Sequence, residues 1–138
     1  MNARKLIGIL RTVLLAALTL LLGAFHAFVG WYKAFSSHEE LVRHAAWTTH
    51  LPSWLGKFVG WAEMIATAAL LLALVRPKRA LVGVWACAIF VVMELVAAAV
   101  HYATQDGGSL VQNAVAIAAT ASLAWLYSLH GRSQDRAR

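Results

Sequence analysis

Four long apolar stretches, separated by short polar connections, dominate the pattern of hydrophobic and polar positions along the chain. They cover residues 6–30, 55–75, 81–100 and 110–129, and each is rich in Leu, Ala and Val. A helix needs about 20 mostly apolar residues to cross a bilayer. None of the stretches alternates like a barrel strand, and lipid offers no hydrogen-bond partner to an open strand edge. The pattern therefore predicts an all-α fold, an integral membrane four-helix bundle that forms one domain over residues 1–138.

The composition favours a membrane protein and argues against a nucleic-acid-binding one. Of the 138 residues, 61% are hydrophobic and 13% are charged, whereas soluble domains are about 45–50% apolar and about 25% charged. The formal net charge is +6, but most Lys and Arg residues lie at the ends of the apolar stretches, where they face water and lipid headgroups. We therefore expect the lipid bilayer, and not nucleic acid, as a partner.

The distribution of Lys and Arg predicts the orientation in the membrane, because cytoplasmic loops carry an excess of both. Basic residues are concentrated in the N-terminal segment, in the second connection "RPKR" and in the C-terminal tail 130–138. The third connection, "HYATQDGGS", has neither Lys nor Arg. Both termini are therefore expected in the cytoplasm, and the first and third connections outside. The tail "GRSQDRAR" is expected to be disordered.

The first connection is the only long one, and it carries a helix start signal. The motif "SSHEE" places serine three residues before glutamate, which is the spacing of a capping box. A short amphipathic helix is therefore expected from about His38 to Trp47, before Pro52 breaks the pattern. Tryptophans cluster around this outer interface, as in an aromatic belt. They are Trp31, Trp47, Trp54 and Trp61.

Ionisable residues inside the apolar stretches are the strongest functional signal in the chain. Glu63 lies roughly eight residues into the second stretch, about 12 Å deep at 1.5 Å per residue. A carboxylate at that depth costs several kcal/mol unless it is paired, protonated or faces an aqueous cavity. In the third stretch Glu94 precedes His101 by nearly two helical turns. Both side chains therefore point the same way, about 10 Å apart in depth.

The first and fourth stretches place polar residues at a similar depth. His26 lies near the outer end of the first stretch, and Gln112 and Asn113 lie at the start of the fourth. All four stretches thus contribute polar side chains to the outer half of the bundle, whereas the inner half has almost none. This distribution predicts one polar pocket that opens outward, with the connection 36–54 as its cover.

A pocket with two glutamates and two histidines fits three kinds of chemistry. Histidine and carboxylate bind Zn or Fe, but no stretch carries a Glu-x-x-His or His-x-x-x-His pair, so a metal is not supported. Two neighbouring carboxylates can share one proton, which suits proton-coupled chemistry, and the pocket can also bind a polar headgroup without catalysis. Structural interpretations stay open beside these, because Glu63 and Glu94 can fix the helix packing and His101 can be an interfacial residue.

The order of these residues resembles the DoxX / DoxX-like family of small four-helix membrane proteins. The resemblance covers roughly Leu10 to Leu129. It rests on the segments "FHAFVGWYKAF" with Lys33, "HLPSW", "VGWAEMIATAALLL" with Glu63, "VAAAVHY" with His101 and "LVQNAVAIAA" with Asn113. Glu94 lies outside these family segments.

The resemblance implies a multi-pass protein of the bacterial inner membrane. Some relatives look like membrane subunits of thiosulfate:quinone oxidoreductase, and others are associated with oxidative stress or with quinone and catechol resistance. The resemblance also implies that Lys33, Glu63, His101 and Asn113 are functional positions and that a quinone is a candidate cofactor.

Together, the pocket and the resemblance predict redox or proton-coupled chemistry on a hydrophobic small molecule such as a quinone. The expected catalytic residues are Glu63, His101 and Glu94. The expected substrate-binding residues are His26, Lys33, Gln112, Asn113 and Trp61.

Two other functions stay open. One is a cofactor-free lipid or terpenoid isomerase or cyclase that uses a protonated glutamate. The other is a non-catalytic membrane scaffold or binding subunit of a larger complex. A homodimer or a membrane partner protein would pack against the small residues of the fourth stretch. These are Ala114, Ala118, Ala121 and Ser122.

Overall fold

A computed structural model describes residues 2–105 and 109–135. Within these ranges the chain is almost entirely helical and has no strand, which confirms the all-α prediction. The helices are α1 (Ala3–Phe35), α2 (His38–Arg43), α3 (Ser53–Val75), α4 (Ala80–Thr104) and α5 (Leu110–Asp135), with short 3-10 helices at Trp47–His50 and Pro77–Arg79. Residues 106–108 of the third connection and 136–138 of the tail lie outside the described ranges.

Helices α1, α3, α4 and α5 are long and apolar enough to cross a membrane, which confirms the four expected spans. Each begins earlier or ends later than the apolar stretch that predicts it. The extension matters most in α1, which continues past Gly30 to Phe35. The segment "WYKAF" has no helix breaker, and the additional turn places Lys33 against the neighbouring helix.

The expectation that the tail "GRSQDRAR" is disordered is wrong for residues 131–135. Helix α5 runs through Gly131 to Asp135. Gly131 costs helix stability in isolation, but it packs closely here, because a Cβ at this position would lie 3.4 Å from Cβ of Ala80. The start of α4 therefore supports the last turns of α5.

The short helix in the first connection is present, but it ends earlier than expected. Ser37 caps it, since its Oγ accepts a hydrogen bond of 3.2 Å from the backbone N–H of Glu40. The helix ends at Arg43 and not near Trp47, because Ala45 takes a left-handed conformation with φ of 48°. The backbone N–H of Ala46 then bonds back to the carbonyl of Leu41 at 2.9 Å, as in a Schellman motif. This turn directs the chain into the 3-10 helix that follows.

Helices α1 and α3, which carry Lys33 and Glu63, cross at a pair of glycines. A Cβ on Gly30 would lie 2.8 Å from the carbonyl oxygen of Gly60, and a Cβ on Gly60 would lie 2.5 Å from that of Gly30. Side chains larger than hydrogen are therefore excluded on both helices, as at small-residue contacts in other membrane bundles. The close crossing brings Lys33 and Glu63 within contact distance.

Neutral hydroxyl groups join the helices in the inner half, which the sequence pattern had suggested to be almost free of polar residues. The buried hydroxyl of Tyr127 donates to the carbonyl oxygen of Leu70 at 3.1 Å and is hydrogen-bonded to Thr19 Oγ1 at 3.0 Å. Gly83 leaves room for the ring, because a Cβ there would lie 2.8 Å from it. We call the hydroxyls of Thr19 and Tyr127, together with the backbone carbonyl of Leu70, the hydroxyl cluster. It ties α1, α3 and α5 together.

Candidate functional site

A cavity of about 370 Å³ opens at the end of the bundle where α1 ends and α5 begins. We call it the outer cavity. It is bounded by α1, α4, α5 and the turn that follows α2. Five of the eight expected site residues line it, namely Lys33, Glu94, His101, Gln112 and Asn113. The structure thus brings these five residues, from three of the four long helices, to one cavity.

Lys33 and Glu63 form a buried ion pair between α1 and α3. Lys33 Nζ lies 2.6 Å from Glu63 Oε1, and the two residues are only 6% and 1% exposed. Lys33 lines the outer cavity, whereas Glu63 lies behind it and contributes nothing to the cavity wall. The Lys33 ammonium also lies 5.4 Å from the centre of the Trp47 ring. The cavity therefore presents a cation whose counter-ion is fixed on the protein side.

Glu94 and Asn113 form a second polar pair, between α4 and α5. The Asn113 side-chain amide donates a hydrogen bond of 2.7 Å to Glu94 Oε2. Both residues are buried within the bundle and line the outer cavity. Asn113, expected as a substrate-binding residue, therefore bonds to a carboxylate of the protein and holds that carboxylate at the cavity wall.

The two polar pairs interact through their charges. Glu63 is subject to the field of Lys33 and also to that of Glu94. With both carboxylates ionised, one ammonium faces two negative charges, so the three groups together carry one excess negative charge. Glu63 Oε2 and Asn113 Oδ1 are buried and accept no hydrogen bond from another described residue. The cluster thus has room for one more proton or for a donor from a bound molecule.

The described residues were compared with the ligand sets that metal ions need. Among them, no three side chains of His, Cys, Asp and Glu gather closely enough to hold an ion. Glu63 is instead engaged with an ammonium and Glu94 with an amide.

His26 lies beneath the wall of the outer cavity and not in its lining. Its ring is fully buried, stacks on Phe90 at a centroid distance of 3.8 Å and meets the edge of Phe25 at 5.1 Å. Neither ring nitrogen bonds to another described residue. Phe25 does line the cavity, so the aromatic ring separates His26 from the space where a ligand would lie.

Trp61 is not part of the site, although the sequence placed it there. Its side chain is 51% exposed and meets the edge of the Phe35 ring at 5.4 Å. Successive residues of an α-helix point about 100° apart, so the directions of Trp61 and Glu63, two residues apart, differ by about 200°. Trp61 therefore points away from the face that carries Glu63, and it belongs to the lipid-facing surface.

The aromatic part of the wall was missed in the sequence. Phe25, Phe28, Val29 and Tyr32 lie on one face of α1 and line the cavity together with Trp47. Their spacing of three, four and seven residues is the signal that could have identified them. His26 and Lys33 were expected on the adjacent face of α1, so the same helical spacing leads from them to this part of the wall.

The turn after α2 covers part of the outer cavity and is tied to α1. His44, Ala45 and Ala46 lie in the cavity lining. The Tyr32 hydroxyl donates to Glu40 Oε1 at 3.1 Å, and Glu40 also pairs with Arg43 at 3.2 Å. The contact between Tyr32 and Glu40 thus joins the first connection to α1 beside the cavity.

Comparison with known proteins gives one finding. A family model described as the DoxX-like family matches residues 4–123, a range that includes both polar pairs and His101. No curated protein and no solved structure gives a significant match.

Proposed function

The chain belongs to the DoxX-like family, and from that premise we propose that the outer cavity binds a hydrophobic small molecule such as a quinone and exchanges protons with it. Family membership and the four apolar helices together make it a multi-pass membrane protein. The proposal adds to this a ligand class and a chemical role for the cavity.

One observation carries the proposal, namely that polar pairs and an aromatic wall meet in a single cavity. Lys33, Glu94 and Asn113 supply the polar side, and Phe25, Phe28 and Trp47 the aromatic one. Ligand sites commonly measure about 300–1,000 Å³ and combine an apolar lining with a few placed polar groups. At about 370 Å³, the cavity suits a single ring with oxygen substituents whose apolar chain extends into lipid.

The charges of the cluster favour a ligand that accepts hydrogen bonds. The Lys33 ammonium lies in the cavity wall with Glu63 as its counter-ion, so it can donate to a ligand oxygen without leaving that partner. Reduction of a quinone to a quinol takes two electrons in total and one proton at each of the two carbonyl oxygens, and we assign the electrons to a reduced redox protein at the outer surface. Lys33 protonates one oxygen and Glu94, in its acid form, the other. His101, in the same wall, then replaces protons from water.

These roles differ from those that the sequence suggested for Lys33, Glu63 and Asn113. Glu63 has no access to the cavity except through Lys33. In the proposal Lys33 is therefore the group that touches the ligand, and Glu63 positions it and favours its reprotonation. Asn113 has the same relation to Glu94.

An isomerase or cyclase of a lipid-like substrate is the second candidate. The aromatic wall favours it, because aromatic faces attract a cation, and Glu94 can serve as the acid. The Lys33 ammonium in the same wall counts against it, since two positive charges repel each other at short range. A non-catalytic subunit would keep the cavity without turnover.

The proposed location of the protein rests on the basic residues of its connections, and its proposed assembly rests on one face of α5. We propose a bacterial inner membrane with both termini in the cytoplasm and the outer cavity on the opposite side, supported by the distribution of Lys and Arg. The homodimer face proposed on α5 is available in the single chain, where all four of its small residues are exposed. These residues are Ala114, Ala118, Ala121 and Ser122.

The binding proposal can be tested with purified protein in lipid nanodiscs and a short-chain ubiquinone. Quenching of tryptophan fluorescence reports binding, since Trp47 lines the cavity. The Lys33→Met/Glu63→Met double variant removes the ion pair without leaving a buried charge alone. We expect it to fold and to bind at least tenfold more weakly, whereas Lys57→Met, at an exposed lysine of α3, should bind normally. Unchanged binding by the folded double variant would contradict the proposal.

A further inference from the structure

We propose that a groove at the opposite end of the molecule binds an anionic phospholipid through its phosphate. The groove measures about 520 Å³ and lies between the first turns of α1 and the last turns of α5. We call it the basic groove. It is lined by Lys5, Gly8, Ile9, Arg11, Thr12, Val13 and His130. It shares no residue with the outer cavity, and its ligand is independent of the function proposed above.

The depth of the basic groove matches the level of lipid headgroups. Arg11 and Lys33 lie on the same helix, and their separation of about 33 Å at 1.5 Å per residue is close to the roughly 30 Å thickness of the hydrocarbon core. If Lys33 marks one interface, Arg11 marks the other. Lys5 then lies further out, among the phosphates.

The charge of the basic groove selects an anion. Lys5 and Arg11 supply the positive charge, His130 joins them from the second helix, and no Asp or Glu is among the described residues that line the groove. Arg11 and His130 are close enough to influence each other electrostatically. More basic residues surround this end of the bundle, and Asp135 is the one acidic residue in the flanking sequence. The surrounding basic residues are Arg76, Lys78, Arg79 and Arg132.

The remaining lining residues select a lipid over a free anion. Ile9 and Val13 line the basic groove and are exposed in the single chain. The groove is open beside Gly8, since a Cβ at that position would meet no atom of the described residues within 4 Å. Basic pockets between membrane helices bind anionic headgroups, and we assign roughly fivefold in affinity to each basic residue that lines the groove and contacts the phosphate. An acyl chain can therefore follow α1 inward while the phosphate lies between Lys5 and Arg11.

Native mass spectrometry of delipidated protein in detergent, titrated with phosphatidylglycerol or phosphatidylcholine, tests this site. We expect selective retention of phosphatidylglycerol. Lys5→Gln/Arg11→Gln should weaken it about 25-fold, since two contributions of roughly fivefold are lost. Arg76→Gln/Lys78→Gln removes the same charge from exposed positions outside the groove, and it should change the affinity less than twofold.

A second variant tests the groove itself without changing any charge. Gly8→Leu fills the open space beside Ile9, and we expect it to weaken phosphatidylglycerol binding while circular dichroism and the melting temperature stay as in the wild type. Equal affinity for both lipids would overturn the proposal. It would also fail if the two double variants lost affinity equally, if Gly8→Leu bound normally, or if millimolar inorganic phosphate displaced the lipid.

Discussion

The outer and inner halves of the bundle solve the problem of buried polar groups in opposite ways. In the inner half, the hydroxyl cluster around Tyr127 is neutral, and Tyr127 bonds to both of its neighbours within well-packed helices. In the outer half, two polar pairs carry charge, face a cavity and retain buried atoms that accept no bond from a described residue. The comparison teaches that polar groups of the inner cluster find their partners within the protein, whereas in the outer half Glu63 Oε2 and Asn113 Oδ1 remain open to a further hydrogen bond.

The largest expected effect concerns the ion pair of the outer half. Glu63→Leu leaves the Lys33 ammonium buried without its partner, and breaking a buried pair in this way costs about 3–5 kcal/mol. We expect that loss in the free energy of unfolding, measured by SDS titration in mixed micelles. Replacing both residues, as in Lys33→Met/Glu63→Leu, should recover most of it. A single variant as stable as the wild type would show that the ion pair is not buried as described.

The next effect concerns the crossing that makes the ion pair possible. Gly60→Ala places a Cβ against the backbone of α1 at Gly30, where no flexible side chain can move away. Overpacking of this kind costs about 1–3 kcal/mol, and the separation of the helices should also weaken ligand binding. Gly8→Ala, which meets nothing within 4 Å, is the matched control and should be neutral or slightly stabilising. Equal effects of the two changes would refute the close crossing.

The smallest effect is expected in the inner half. Tyr127→Phe removes the hydroxyl that bonds to Leu70 and Thr19, and a net loss of about 0.5–1.5 kcal/mol in unfolding free energy is expected. Ubiquinone affinity should not change, because the outer cavity shares no residue with this cluster. A Tyr127→Phe protein that is fully stable but binds ubiquinone poorly would contradict the assignment of Tyr127 to stability and of ligand binding to the outer half.

The sequence predicted the architecture and most of the outer site for a clear physical reason. Spans are encoded by local composition, and a charged residue in an apolar stretch stands out because it must be compensated. Glu63, Glu94, His101 and Asn113 were found on that basis. Lys33, identified through the family resemblance, proved to be the direct partner of Glu63.

The remaining features depend on contacts between distant parts of the chain. Tyr127 finds Thr19 across 108 positions of sequence, and nothing in its local pattern distinguishes it from an interfacial tyrosine. The last turns of α5 lie beside the start of α4, where Gly131 is next to Ala80. Trp61 was misplaced because a tryptophan at the membrane interface and a tryptophan in a pocket wall look alike in the sequence. The angle between Trp61 and Glu63 around the helix distinguishes the two cases.

Photoaffinity labelling with an azido-quinone, followed by peptide mapping, tests the central claim most directly. The account predicts labels on the cavity-facing segments, in particular around Phe28 on α1, Trp47 after α2 and His101 on α4. Excess ubiquinone should remove these labels, and Lys33→Met/Glu63→Met should reduce them. Labels confined to the lipid-facing surface at Trp85 and Trp125, with the outer cavity unmodified, would contradict the account.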